Sequence, residues 1–171
     1  LADELITAGE IPPLIIVLPQ DDLGLRPTRD PFGESLITEL IPEIDANYRT
    51  LAAREYRALG GLSRGGNWAV HLGFQNWELF GSIGGHSTPG FLIDGPAEMR
   101  AWLEAIPRTS LPRVYLDVGE RDIWLDEVTQ LESIVDEAGV PHEWYLFPGY
   151  HDEEYWGSHI EQYLRWYTVE W

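Results

Sequence analysis

Three residues, far apart in the chain, have the types and order of a proton relay. Ser63 lies in "GLSRGG", with Gly61 and Gly65 flanking it at two residues each way. Asp122 lies in "DVGERD" and His151 in "PGYHDE". A serine hydroxyl is a weak nucleophile until a base takes its proton, and that base must be oriented by a third group. The pattern G-x-S-x-G between a strand and a helix forces serine into a sharp turn with its oxygen exposed. The flanking glycines would remove side chains that collide across that turn, and Gly66 would let the following helix pack closely. The backbone N–H of Arg64, at the helix start, would point at a developing oxyanion. Serine, acid, histidine is the chain order of a Ser-His-Asp hydrolase. Asp117, Glu120 and Asp126 compete with Asp122 for the acid's place. Asp117 reads as part of a strand and Asp126 as an N-cap. His159 competes with His151 but falls in a helix. His86 follows a strand and is a candidate lining residue, while His71 and His142 read as structural or solvated. Trp124 and Trp156, close to the acid and the base, are candidate walls for an acyl group or a sugar.

Such residues need elements that bring them to one edge. Residues 1–9 read as the end of a helix stopped by Gly9. "LIIVL", residues 14–18, reads as a strand covered on both faces, as in parallel sheets. Residues 31–51 carry helical spacing, with Pro42 expected to kink that helix or start a second one. Further strands are expected over residues 55–63, 80–87, 112–120 and 142–149. Helices are expected over 64–76, 95–106, 125–140 and 152–171. Five strands alternating with helices predict an α/β fold, a mostly parallel sheet flanked by helices on both faces. In such sheets functional residues collect at the carboxyl ends of strands. Ser63, Asp122 and His151 all fall there.

Composition narrows the classes. With 171 residues and 44% apolar content, the chain can bury a core as a single domain over 1–171. It has no cysteine, which removes disulfide and thiolate chemistry and leaves the compartment open. The formal charge of −18 repels nucleic acid and anionic membranes, so neither is an expected partner. No metal-ligand spacing and no phosphate-binding glycine loop stands out.

The motifs in order resemble the esterase D family of α/β-hydrolases, which includes feruloyl and acetyl xylan esterases. The likeness runs through "LADELITAGEIPPLIIVLPQ", "ELIPEIDANYRT", "GGLSRGGNWAV", "LDVGERD" and "FPGYHDEEYW". It implies a triad of Ser63, Asp122 and His151, no cofactor, and ester substrates on plant cell-wall carbohydrate. Arg64 stands where methionine is frequent in the family. The family's further N-terminal strands, and the loop supplying its second oxyanion N–H, have no counterpart ahead of residue 14. The chain is therefore expected to be shortened relative to the family. Residues 14–18 are then expected to expose an apolar strand edge, through which two copies could pair. A serine peptidase, an acyltransferase and a non-catalytic binding domain are the alternative readings.

Overall fold

The computed structural model describes residues 1–21, 24–169 and 171. Four strands form one parallel sheet in the order β1 (Ala58–Leu62), β2 (Ser82–His86), β3 (Arg113–Gly119) and β4 (His142–Phe147). The register runs Leu62 beside His86, and His86 beside Asp117. Gly119 pairs with Phe147. Every residue of β2 is buried, and in β3 all but Arg113, as expected of strands flanked on both sides and both faces.

The helices are α1 (Ala2–Thr7), α2 (Phe32–Ser35), α3 (Ile41–Asn47), α4 (Arg64–Gln75), α5 (Pro96–Ala105), α6 (Leu125–Glu137) and α7 (Glu153–Thr168). Alternation along the strands sorts two cores. Ile83, Val114 and Leu116 face Val70 and Phe74 of α4, Met99 and Leu103 of α5, and Leu131, Ile134 and Val135 of α6. Tyr115 and Tyr145 point the other way, against Ile160, Tyr163, Trp166 and Tyr167 of α7. A third cluster docks α2 and α3 on α4 through Leu36, Trp68, Leu72 and Phe80.

Proline acts as expected in the stretch before β1. Between α2 and α3 the helix widens into a π turn, Leu36–Leu40, just before Pro42. Pro42 has no N–H to donate back into an α-helical ladder, and a widened turn is one way a helix absorbs that loss. Residues 55–57 are not strand; a 3₁₀ turn over Arg54–Tyr56 precedes β1. The last helix ends at Thr168 rather than at 171, and Glu170 lies outside the described residues.

The expected strand at residues 14–18 does not form. The segment is irregular, with Ile15, Ile16, Val17 and Leu18 exposed rather than buried. The physical reason is pairing. An apolar run becomes a strand only where a neighbour supplies ladder hydrogen bonds. Among the described residues, 12–20 make no such bonds, and Pro12, Pro13 and Pro19 have no N–H to give. The sheet therefore has four strands rather than five, and its first edge is β1. In the single chain, residues 14–18 are not in strand conformation.

Candidate active site

Ser63 sits between β1 and α4 with φ 50° and ψ −116°, a conformation that non-glycine residues seldom adopt. Its N–H donates to the carbonyl of His86 at 2.8 Å, so the turn continues the sheet's pairing. The space around it explains the glycines. A Cβ on Gly61 would lie 2.5 Å from the Gly65 carbonyl oxygen and 2.7 Å from the Gly66 nitrogen. One on Gly66 would lie 2.8 Å from Thr88, in the turn after β2. Gly65 differs from expectation, because a Cβ there would meet nothing within 4 Å. It is the backbone of Gly65, not a side chain at that position, that crowds Gly61.

The acid and the histidine arrive on two loops stitched together. The N–H of Glu120 donates to Phe147 O at 2.8 Å and that of Arg121 to Gly149 O at 2.9 Å. Gly119 permits the approach, since a Cβ there would lie 2.6 Å from Gly149 O. Asp122 has its side chain fully buried, and one of its oxygens accepts from the Trp124 N–H at 2.8 Å. His151 Nδ1 lies 3.0 Å from both Asp122 carboxylate oxygens, and its Nε2 lies 2.9 Å from Ser63 Oγ. With the proton on Nδ1 donated to Asp122, Nε2 is left as the acceptor for the serine hydroxyl. Ser63, His151 and Asp122 thus form one continuous hydrogen-bonded chain.

The competing residues are elsewhere. Asp117 is wholly buried in β3 and accepts from Tyr155 OH at 2.6 Å and Tyr163 OH at 2.8 Å. His86 does not line the site. It is 2% exposed, with Nδ1 2.5 Å from Asp117 and Nε2 3.0 Å from Tyr167 OH, and it stacks on Tyr163. The inward pleat at its position carries it into the α7 core. Burial first, and then the Asp117 charge, push the Tyr155 and Tyr163 phenols above their ordinary range, so both remain donors. Glu120 is exposed. Asp126 sits inside the first turn of α6 rather than capping it, because the helix starts at Leu125, two residues earlier than a cap at 126 would give. His159 Nδ1 lies against Tyr155 O and its ring stacks on Phe147. His71 pairs with Asp94, and His142 lies against Val140 O.

Of the two tryptophans, Trp124 has a partly exposed ring, whereas Trp156 packs edge-on against His151 at 4.9 Å and donates to Ser87 Oγ. Sequence reasoning missed the Arg64 side chain. Its guanidinium binds Asp21 at 2.6 Å and Leu25 O at 2.7 Å, fastening the segment before α2 beside the Ser63 turn. Those partners are about forty residues away in sequence, so no local pattern announces them. The N–H of Arg64 is at the first helical position, where a helix leaves it without an internal partner. A cleft of about 870 Å³ opens beside this clamp, lined by Asp21, Asp30, Phe32 and Glu39, but no relay residue lines it. Among the described residues no cluster of His, Asp and Glu is arranged to hold a metal ion.

A family model described as "Putative esterase" matches residues 3–167. The chain belongs to this esterase family. An endo-1,4-beta-xylanase/feruloyl esterase of Xylanibacter ruminicola is 36% identical over 92 residues, which is 49% of this chain and 12% of that protein. An esterase of Mycobacterium tuberculosis is 25% identical over 197 residues, covering 85% of this chain and 43% of its own length. The chain therefore spans less than half the length of either relative. Among solved structures, a ferulic acid esterase superposes with a TM-score of 0.81 at 25% identity, covering 98% of this chain and 75% of that one. A feruloyl esterase module from Clostridium thermocellum complexed with sinapinate gives 0.81 at 22% identity, covering 99% and 68%. The fold of this esterase-family chain is that of the α/β-hydrolases.

Proposed function

We propose that the protein is a serine carboxylesterase that hydrolyses short acyl or aryl esters, feruloyl-type esters of plant cell-wall carbohydrate among them. The observation that carries this reading is the relay from Asp122 through His151 to Ser63, with contacts of 3.0 and 2.9 Å. Ser63 Oγ attacks the ester carbonyl as His151 Nε2 takes its proton, and the Arg64 N–H donates to the developing oxyanion. Asp122 stabilises the imidazolium. Collapse breaks the ester C–O bond, and His151 returns the proton to the departing alcohol, leaving acyl-Ser63. A water molecule, deprotonated by His151, then releases the acid and restores the serine. The aryl preference is supported by the names of the relatives. It is supported too by exposed Ile123, Trp124 and Tyr150, which sit in the two loops bearing Asp122 and His151.

The test uses p-nitrophenyl acetate and methyl ferulate with a fluorophosphonate probe. Both esters should be hydrolysed, the probe should label Ser63, and Ser63→Ala should remove turnover and labelling together. Unchanged hydrolysis by Ser63→Ala, or folded protein that the probe does not label, would overturn the assignment.

A further inference from the structure

The strained turn after β2 and the first turn of α7 meet behind the general base. Ser87 follows His86, is fully buried, and has φ 52°. Apart from Ser63, it is the one non-glycine residue at positive φ among those described. Its N–H donates to Asp117 O at 2.8 Å, which fixes the backbone, and its Oγ accepts from Trp156 Nε1 at 3.1 Å. The Trp156 ring meets the His151 ring at 4.9 Å and 83°, an edge-on arrangement. The imidazole is thus held on two sides, by the Asp122 carboxylate through Nδ1 and by the indole against its ring.

Resting on the esterase reading above, we infer that Trp156 and Ser87 form a positioning pair for the general base rather than a wall for substrate. The indole N–H is bound to a serine whose own conformation is uncommon, and uncommon backbone held in place by its surroundings clusters at functional sites. That bond fixes the rotation of the indole. The indole in turn restricts the imidazole to the orientation in which Nδ1 faces Asp122 and Nε2 faces Ser63. An edge-on aromatic contact and a neutral hydrogen bond each contribute roughly 1 kcal/mol, so loss of either should slow the step that uses His151 by about three- to ten-fold.

Trp156→Phe keeps an aromatic ring but deletes the N–H, and Ser87→Ala deletes the acceptor. Each should lower kcat by a similar factor for p-nitrophenyl acetate and methyl ferulate and leave KM unchanged. The double variant should be no slower than the slower single, because both changes cut one link. A rise in KM confined to methyl ferulate, a Ser87→Ala enzyme with wild-type kcat, or losses that multiply would each overturn the inference. If Trp156→Phe does not fold, Ser87→Ala carries the test alone. Proton NMR gives a readout that needs no turnover: the low-field His151 Nδ1 proton should shift or broaden in Ser87→Ala, and an unchanged resonance would overturn the inference. Absence of Ser63-dependent hydrolysis in the wild type would instead sink the esterase reading, while the resonance would still report on the pair.

Discussion

Two buried aspartates, Asp117 and Asp122, are five residues apart and serve different ends. Asp122 contacts His151 and the Trp124 N–H. Asp117 is enclosed by His86, Tyr155 and Tyr163 beneath the sheet edge. The change that separates them is carboxylate to amide. Asp122→Asn leaves His151 Nδ1 facing an amide that can no longer fix its tautomer, and should lower kcat by roughly 10³–10⁴. Asp117→Asn turns one of the two oxygens that receive two buried phenols and a histidine into an NH2 donor, and should cost stability of about 1–3 kcal/mol. Steady-state kinetics and urea unfolding of the two variants check this. A stability loss in Asp122→Asn as large as in Asp117→Asn, without its loss of rate, would contradict the division.

At the level of elements, the Ser63 turn and the segment before α2 make separate predictions. Gly61→Ala drives a Cβ into the Gly65 backbone and should destabilise by about 1–3 kcal/mol or more. Gly65→Ala meets open space inside a helix and should be neutral or stabilising by up to about 1 kcal/mol. Equal denaturation midpoints for the two would refute the steric account. The Arg64 clamp is sensitive to acid. Burial raises the pKa of Asp21, but hydrogen bonds from Trp68, Arg64 and Gly24, with the Arg64 charge, outweigh it and hold the carboxyl below its ordinary value. A depressed folded pKa means that the contribution is complete above the unfolded value of 3.8 and is lost as pH falls through the folded one. Asp21→Asn should therefore melt below the wild type near neutral pH, with the gap closing under acid below that value. A gap that widens on acidification would reverse the sign.

For the whole molecule, 29 acidic against 11 basic side chains leave the folded chain repelling itself. Screening should relieve this, so Tm should rise by a few degrees between about 20 and 300 mM NaCl. A flat or falling Tm would show that local ion pairs, such as Arg57 with Asp45, outweigh the general repulsion. Both faces of the sheet are covered by apolar clusters, and on the α7 side Asp117 and His86 are buried together among the tyrosines.

Periodicity and turn chemistry by themselves determined the parallel sheet, the helices that alternate with its strands, and the carboxyl edge at which Ser63, Asp122 and His151 gather. Those features depend on residues close together in the chain: the glycines around Ser63, the apolar spacing of 125–140, the acid following its strand. Tertiary structure alone decided what depends on distant partners. Residues 14–18 are as apolar as any strand, yet without a neighbour to pair with they stay irregular and exposed. His86 and Trp156 both looked like site walls. The pleat turned one into the core against Asp117, and Ser87 drew the other against His151. A hydrogen bond spanning 69 residues leaves no mark on local sequence, because its geometry exists only once the sheet has brought its ends together.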